Sequence, residues 1–251
     1  MLKLTSVSKR FKDNDPWVIK NIDITITDGS IFCLLGPSGC GKSTILNLIS
    51  GFENVNEGTV HYGNSSIVGS GPERFMIFQE SSSALFSWLN VKENVEFGLK
   101  VQGKNKNERK TISEHYIEMV GLNSHQSKFP DELSGGMKQR LQLARALVLE
   151  PEVLLMDEPF GALDSMTRKK LQRALRNIWE KTKKTIIFVT HDIEESIYLG
   201  THIAVMTSPP EATIKKEIEC KVSEPRDPSN PEFGILYKSI ENLIRDEIVI
   251  E

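Results

Sequence analysis

A glycine-rich loop between a buried strand and a helix is the feature that most constrains the fold of this chain. From Gly36 the sequence has two glycines with four residues between them, followed directly by Lys and Ser, which is the spacing of a phosphate-binding loop. An apolar run, 31–35, precedes the loop, and the stretch 43–49 has the composition of a helix. The candidate loop residues are Gly36, Pro37, Ser38, Gly39, Cys40, Gly41, Lys42, Ser43 and Thr44.

The chemistry of such a loop follows from its residue types. Glycines let the backbone curl so that its N–H groups point inward at phosphate oxygens, and the start of the helix adds a partial positive charge. Lys42 supplies a point charge for the β- and γ-phosphates, and the Ser43 hydroxyl is a ligand for Mg²⁺. The loop therefore predicts binding of ATP together with Mg²⁺.

Two carboxylates follow a second apolar run. The stretch 153–156 is continuously apolar and leads directly into Asp157 and Glu158. A buried strand presents such groups at its C-terminal end, where α/β sheets bind ligands. We predict that Asp157 holds Mg²⁺, directly or through water, and that Glu158 polarises an attacking water. A strand that ends in Asp-Glu is equally typical of a solvated turn, so the prediction depends on the phosphate loop.

Strands that alternate with helices predict an α/β fold. Ile22, Ile24 and Ile26 alternate with polar residues, as in a half-buried strand, and the stretches 75–78 and 185–189 are further short apolar runs. We predict a P-loop NTPase core, in which a mainly parallel sheet carries flanking helices and an antiparallel β subdomain.

A helical region interrupts this core. The stretch 84–149 is rich in Lys, Glu, Leu and Asn at helical spacing and has no convincing strand. We therefore predict a single domain in which an all-helical subdomain, 84–149, is inserted into a nucleotide-binding core of residues 1–83 and 150–210. Residues 211–251 form a C-terminal extension packed on that core.

The segment Leu-Ser-Gly-Gly-Met begins at residue 133, inside the helical region. Ser134 is able to cap the helix that follows, and Gly135 and Gly136 permit close approach of the backbone to a ligand. Taken alone, the segment is more typical of an ordinary capped helix start.

Composition narrows the classes of function. The 251 residues carry a net charge of −3, which does not imply a nucleic-acid-binding surface, and 39% are hydrophobic, which is enough for a sizeable core. The three cysteines do not form a disulfide framework. The N-terminus lacks the apolar stretch of a signal peptide, and no apolar run approaches the roughly 20 residues that a membrane helix needs. We expect a cytoplasmic protein that reaches a membrane only through a partner.

The motifs together resemble one family, the ATP-binding-cassette (ABC) ATPases. They occur in the order found in that family, over roughly residues 1–207. The set is the phosphate loop, Gln79, Leu-Ser-Gly-Gly, Val-Leu-Leu-Met-Asp-Glu-Pro at 153–159, Ala-Leu-Asp at 162–164 and Thr-His-Asp at 190–192.

The resemblance implies roles for matching positions. Phe11 falls where an aromatic side chain stacks on adenine, and Trp17 is a competing candidate. Gln79 corresponds to the glutamine that reaches Mg²⁺ and the attacking water. His191 corresponds to the histidine that contacts the γ-phosphate, and Asp164 to the residue that links two nucleotide sites.

The resemblance also implies a homodimer with two shared sites. Two cassettes face each other head to tail, and each ATP lies between the phosphate loop of one and Ser134, Gly135 and Gly136 of the other. Met137 departs from the glutamine found at that position in many cassettes, which weakens a role for its side chain but not the backbone role of the glycines.

Further stretches resemble one branch of the family. Residues 84–95, 129–133, 157–164 and 205–210 look like the ATPase subunits of importers for nitrate, taurine, alkanesulfonates or thiamine-precursor pyrimidines. This resemblance implies integral membrane permease subunits as partners, indirectly a substrate-binding protein, no nucleic acid, and a peripheral position on the inner face of the cell membrane.

Three other classes of protein are alternatives to the importer subunit. Cassette ATPases that act on DNA or ribosomes usually have long coiled-coil insertions or tandem cassettes, whereas this chain has one compact cassette. Exporter ATPases are often fused to membrane helices. A non-catalytic module is disfavoured because Lys42, Asp157, Glu158 and His191 are all present.

Two apolar stretches allow two explanations each. In 81–89, Leu85, Phe86, Trp88 and Leu89 either form core or line a groove for a short cytoplasmic helix of a permease, with Trp88 as the anchor. In the tail, an apolar stripe from Phe233 predicts a helix that packs on the main domain rather than binding a partner.

Overall fold

The computed structural model describes residues 1–78, 84–161 and 163–248. The chain divides into two compact units. The first comprises Met1–Arg74 and Lys183–Glu251, and the second comprises Phe75–Thr182. The second unit is therefore one continuous segment inserted between two parts of the first.

The described residues form both β-strands and α-helices. The strands are β1 (Leu2–Lys9), β2 (Ile19–Ile26), β3 (Ile31–Leu35), β4 (Glu57–Tyr62), β5 (Ser65–Ser66), β6 (Arg74–Ile77), β7 (Val153–Asp157), β8 (Thr185–Thr190), β9 (His202–Met206) and β10 (Ile214–Glu219). The helices are α1 (Lys42–Ser50), α2 (Val91–Val101), α3 (Lys106–Met119), α4 (Gly135–Leu147), α5 (Ser165–Thr182), α6 (Ile193–Leu199) and α7 (Pro231–Ile248).

The first unit contains an antiparallel sheet with the strand order β2-β1-β4-β5. The alternation predicted for residues 22–26 is confirmed, because the isoleucines are buried while Asp23 and Thr25 are exposed. Leu4 pairs with Ile24 across the sheet, and both side chains are buried. The sheet therefore has one apolar face, as the period of two requires.

A second sheet of the first unit holds the phosphate loop. Its strands follow the order β10-β9-β3-β8, and β3 is parallel to both β8 and β9. All five residues of β3 are buried, as expected for a central parallel strand covered on both faces. Helix α1 follows directly and contacts β8. The mainly parallel core predicted from the sequence is confirmed.

The second unit begins with β6 and then becomes helical. Its helices α2, α3 and α4 pack against one another, and α4 also packs on α5. Two short 3-10 turns, Asn123–His125 and Pro130–Glu132, connect α3 to α4. In the described part of 84–149 there is no strand. Local sequence sets the helix starts, since Asn90 and Asn105 each form a capping box with the glutamate three residues later.

The C-terminal segment joins the core sheet before it forms a helix. β10 runs antiparallel to β9, with Ile214 opposite Met206. α7 starts at Pro231, where the Asn230 side chain accepts from the Glu232 N–H at 2.9 Å, and it packs against α6 and β9. Among the described residues, no helix is long and apolar enough to cross a membrane.

Candidate nucleotide-binding site

The phosphate loop leaves the buried strand β3 and ends at the first residue of α1. The Lys42 ammonium donates to the carbonyls of Gly36 and Pro37, each at 2.8 Å, and the side chain is only 5% exposed. Ser38, Gly39 and Ser43 lie on the exposed side. The Lys42 ammonium therefore bridges two carbonyls of its own loop, while Ser38, Gly39 and Ser43 face solvent.

The backbone of the loop requires glycine at two positions for different reasons. Gly39 has φ +79°, and a Cβ there would meet no atom within 4 Å. Gly41 has φ +89°, and a Cβ there would lie 2.5 Å from Ile19 Cγ2 and 3.2 Å from Val18 Cγ1. Gly41 is therefore fixed both by the left-handed conformation and by the segment packed against it.

That segment is itself held by the C-terminal part of the chain. The Glu211 N–H donates to the Trp17 carbonyl at 2.8 Å, and the Ala212 N–H donates to the Val18 carbonyl at 3.2 Å. The Lys20 N–H donates in return to the Ala212 carbonyl at 3.0 Å. The 17–20 segment thus connects residues 211–212 to the phosphate loop.

Cys40 is an internal part of the loop rather than an exposed thiol. Its side chain is fully buried, and burial raises the pKa of the thiol despite the opposing effect of the nearby Lys42 charge. The Lys42 Nζ lies 3.8 Å from the Cys40 Sγ. The thiol therefore stays protonated at neutral pH and packs as a small apolar group.

His191 leaves the same edge of the sheet as the phosphate loop. In the parallel pair β3–β8, Leu35 is the Cα partner of Thr190, so Gly36 and His191 are the next residues on neighbouring strands. His191 is exposed at this edge. The following turn is rigid, because the Thr190 hydroxyl donates to the buried Glu195 carboxylate at 2.5 Å. The structure therefore brings these two predicted site residues together.

The two candidate adenine-stacking residues differ in environment. Phe11 is 58% exposed, and the Lys9 Nζ lies 5.4 Å from its ring centroid. Trp17 is half-buried and is already covered by the Arg10 guanidinium at 4.6 Å. Phe11 therefore has the more accessible ring.

The acidic pair lies in the second unit. β7 is buried up to Met156, and Asp157 and Glu158 are half-buried at its end. Glu158 has φ +41°, a left-handed conformation that costs free energy in a residue with a Cβ. The next turn is closed by the Gly161 N–H, which donates to the Glu158 carbonyl at 3.1 Å. A strained backbone at this acidic residue is typical of a functional position.

The Leu-Ser-Gly-Gly segment opens α4 in the second unit. Ser134 and Gly135 are exposed, and the Ser134 hydroxyl accepts from the Met137 N–H at 3.4 Å. Gly136 is buried, and a Cβ there would lie 2.4 Å from Thr167 Cγ2 of α5. From the sequence alone, both glycines are expected to permit close approach of a ligand. In the structure Gly136 permits close packing of α4 on α5, a contact for which the sequence has no local signal.

Asp164 caps α5. Its carboxylate accepts from the Thr167 N–H at 3.0 Å and from the Met166 N–H at 3.2 Å. The hydrogen bond from the Thr167 side chain has the largest effect in lowering the pKa of Asp164, and the Thr167 N–H adds to it. The side chain is exposed to solvent, so it is ionised and accessible at neutral pH.

The predicted site residues are distributed over both units. The phosphate loop, Phe11 and His191 belong to the first unit, whereas the acidic pair, Asp164 and the Leu-Ser-Gly-Gly segment belong to the second. The Gln79 prediction lies outside the described residues.

The phosphate loop fits a nucleoside triphosphate with Mg²⁺. The exposed Ser43 hydroxyl is a hard oxygen donor of the kind that Mg²⁺ takes from proteins, together with substrate phosphates. The loop supplies backbone N–H groups at a helix N-terminus, where anions bind favourably. The fold and this loop define the class of protein as a P-loop nucleoside triphosphatase.

Comparison with known proteins identifies the family. A family model described as ABC transporter matches residues 19–161. This protein therefore belongs to the ABC transporter family, whose cassettes bind and hydrolyse ATP.

Relatives and a solved structure agree with this family. The chain is 42% identical over 215 residues to the nitrate import ATP-binding protein NrtD of Synechococcus elongatus, covering 84% of this chain and 78% of the relative. It is 44% identical over 223 residues to the aliphatic sulfonates import ATP-binding protein SsuB of Bacillus subtilis, covering 89% and 85%. A dimeric ATP-binding cassette in a post-hydrolysis state, bound to ADP and Pi, matches with a TM-score of 0.74 and 29% identity over 88% of this chain and 99% of the other.

Proposed function

We propose that this protein is the ATP-hydrolysing subunit of an importer, which drives uptake of a small anion of the nitrate or sulfonate type through a separate membrane permease. A pyrimidine precursor is the alternative solute. The observation that carries the proposal is the match to import ATP-binding proteins along most of the chain, combined with a folded phosphate loop. The permease would hold this subunit at the inner face of the membrane, and a substrate-binding protein would deliver the solute.

The loop residues have a defined task in this mechanism. The N–H groups at the start of α1 bind the phosphates, and the Lys42 ammonium moves from the Gly36 and Pro37 carbonyls to phosphate oxygens. Ser43, Asp157 and Gln79 are the proposed holders of Mg²⁺, which supplies positive charge against the phosphates when bound.

The groups proposed to act on the attacking water lie on two strands. Glu158 accepts a hydrogen bond from that water and orients it, which a carboxylate at the end of a buried strand is suited to do. His191, at the edge that also carries the phosphate loop, donates to the γ-phosphate. Phe11 offers its exposed ring to the adenine.

The second half of each site is proposed to come from a partner cassette. Ser134 and Gly135 are exposed at the N-terminus of α4, where their polar groups can meet the phosphates of ATP held by another chain. Asp164 would link the two sites. The dimeric state of the matched cassette bound to ADP and Pi supports this arrangement.

The permease is proposed to dock on the loop after Gln79. Of its large apolar residues, Leu85 is buried and therefore serves as core, whereas Trp88 is 70% exposed. Trp88, Leu89 and Phe97 form the apolar part of a groove of about 400 Å³, whose other lining residues are the charged Glu93, Glu96, Lys100 and Arg109. An exposed tryptophan beside a groove is the kind of anchor used when a short helix docks.

Glu158→Gln tests the catalytic part of this proposal. The amide cannot accept a proton as the carboxylate does, so turnover should fall by about 10²–10⁴-fold while ATP binding is retained. Lys42→Ala should instead weaken binding of the triphosphate, because it removes the charge at the phosphates. The measurements are steady-state ATPase rate and equilibrium binding of a fluorescent ATP analogue. Near-normal turnover in Glu158→Gln would refute the role of this carboxylate.

The transport part is tested by reconstitution with the permease and binding protein encoded in the same operon. Solute-loaded binding protein should stimulate ATP hydrolysis in proteoliposomes, and nitrate or an alkanesulfonate should accumulate inside. Failure of every tested anion, with uptake of a pyrimidine precursor, would assign the alternative solute.

A further inference from the structure

One buried asparagine holds the loop that presents Trp88. Asn94 lies on α2 and is 1% exposed. Its side-chain oxygen accepts from the Phe86 N–H at 3.0 Å, and its amide donates to the carbonyls of Phe86 at 3.0 Å and Leu89 at 2.7 Å. The Asn90 carbonyl also lies 3.1 Å from the amide nitrogen, so one of its two N–H groups is shared between two acceptors. One side chain thus supplies partners to the Phe86 N–H and the Leu89 carbonyl, and it adds a second contact to the Phe86 and Asn90 carbonyls, which also accept from backbone N–H groups.

The loop is also held from α4, through an aromatic ring. The Arg145 guanidinium lies 4.4 Å from the Phe86 ring centroid, and its NH1 donates to the Ala84 carbonyl. The Phe86 ring contacts Phe97 at 4.4 Å and Trp88 at 5.4 Å between centroids. Phe86 is therefore the centre of the cluster, and Trp88 is its exposed member.

The hydrogen bonds of Asn94 define the backbone on both sides of Trp88, because Phe86 and Leu89 flank that residue. A side chain with both a donor pair and an acceptor is needed, since the loop presents one N–H and several carbonyls to it. Aspartate would keep the acceptor but place an oxygen against the carbonyls. Alanine would remove the Asn94 partner of the Phe86 N–H and of the Leu89 carbonyl, whereas the Phe86 and Asn90 carbonyls would keep the backbone N–H groups of Leu89 and Asn94.

We propose that Asn94 is a positioning residue for the docking of the permease: it fixes the 84–90 loop so that Trp88 is held ready for the partner before binding. The inference rests on the proposed docking surface and names the residue that organises it. Preorganisation of this kind strengthens binding because the loop loses no further conformational freedom when the partner arrives. Asn94 acts through Trp88 and touches neither nucleotide nor permease.

The first test measures the loop itself, without any partner. In a Trp17→Phe, Trp179→Phe background, Trp88 is the single tryptophan, and acrylamide quenching reports its surroundings. Asn94→Asp should change the quenching constant and the emission maximum of Trp88 while the protein remains folded by circular dichroism. The matched control is Asn105→Ala, which removes an asparagine that caps α3 in the same unit but does not touch the loop. Unchanged Trp88 fluorescence in Asn94→Asp would overturn the proposal.

The second test is a double-mutant cycle on association with the permease in nanodiscs. Trp88→Ala should weaken association by about 30-fold or more, as for a central tryptophan anchor. Asn94→Asp should weaken it by about 10-fold alone but by less than about twofold in the Trp88→Ala background, because both changes remove one interaction. Additive losses would show that Asn94 does not act through Trp88.

The outcomes separate this inference from the docking proposal. If Trp88→Ala leaves association unchanged while the wild-type complex still transports, the docking surface is wrong, and the positioning role fails with it. If Trp88→Ala weakens association but the Asn94→Asp effect is additive, only the positioning role fails. Asn94→Ala serves as the second variant, and its melting temperature shows whether a loss of association reflects unfolding of the subunit.

Discussion

At the level of single residues, the phosphate loop carries its own counter-charge. The buried Lys42 ammonium donates to two carbonyls of the loop, and the Cys40 Sγ lies 3.8 Å from its nitrogen. In the proposed function, binding of the triphosphate exchanges these two carbonyl partners of Lys42 for phosphate oxygens. Glu158 combines a carboxylate at the end of a buried strand with a left-handed backbone conformation, at a φ of +41°.

The pH dependence of stability provides a residue-scale prediction for Asp164. Its pKa is lowered by hydrogen bonds from Thr167, so the cap stabilises the fold above the unfolded pKa of Asp, about 4, and this contribution is lost as pH falls through the lower folded value. Asp164→Asn should keep the cap at pH 7, since Asn caps as well as Asp, and should make stability less dependent on acid pH. Urea unfolding between about pH 3 and 7 measures this. Identical pH profiles would contradict it.

Two glycines of the phosphate loop form a matched pair. Gly39→Ala should cost about 1–2 kcal/mol in the free energy of unfolding, because alanine is strained at φ +79° but meets open space. Gly41→Ala should cost about 1–3 kcal/mol more, because its Cβ also collides with Ile19. Urea unfolding without nucleotide is the measurement. Equal costs for the two variants would refute the role of the Ile19 contact.

At the level of elements, helix α4 has two uses at its N-terminus. Ser134 and Gly135 are exposed at the start of this helix, whereas Gly136, the next residue, packs directly on Thr167 of α5. The absence of a side chain at 136 sets how closely the two helices approach. A glycine in this motif is therefore maintained by packing as well as by any nucleotide.

Gly136→Ala should destabilise the protein by about 1–3 kcal/mol through overpacking, although alanine favours the helix by about 1 kcal/mol. Thr167→Ser removes the Cγ2 that the new Cβ would meet at 2.4 Å, so adding it should restore most of the loss. Gly135→Ala is the control, because its Cβ would have only an ordinary contact at 3.7 Å. Thermal and urea unfolding of the four variants decide. A double variant no more stable than Gly136→Ala would rule out this clash as the cause.

Elements with a strong local pattern were predictable, and those that depend on distant partners were not. The strand at the apolar run 31–35 and the tail helix that carries the apolar stripe from Phe233 both lie where their sequences predict them. β10 was missed because Ile-Lys-Lys-Glu-Ile-Glu has little apolar pattern and forms a strand by pairing with β9. The site motifs follow from spacing along the chain. The 2.8 Å hydrogen bonds of Lys42, and those that Asn94 makes to the 84–90 loop, depend on backbone groups that only the fold brings near.

At the scale of the whole molecule, the proposed machinery is divided between two units and two chains. Binding groups belong to the unit built on the parallel strands, and the acidic pair and the capped helix start belong to the inserted unit. In the proposed dimer, each site requires one chain's Lys42 and the other chain's Ser134. This requirement distinguishes a shared site from one that each chain completes alone.

Mixing two inactive variants tests this arrangement. Ser134→Arg and Lys42→Ala should each abolish most ATPase activity alone. In a mixed dimer, one site combines the intact loop of the first chain with the intact Ser134 of the second. An equal mixture should therefore regain about a quarter of wild-type activity, because random pairing makes half of the dimers mixed and each has one good site. Activity no greater than the sum of the separate variants would show that sites are not shared.

The backbone hydrogen bonds between residues 211–212 and residues 17–20 limit which side chains position 212 can accept during evolution. Ala212 is fully buried and is bridged to Ile19, whose methyl group stands against Gly41. The match to the family model ends at residue 161, well before position 212. A larger side chain at 212 would push the 17–20 segment into the loop that receives the phosphates. We therefore expect homologous proteins to have only small residues at position 212. The packing of the phosphate loop, some 170 positions earlier in the chain, sets this limit, and the surrounding tail does not.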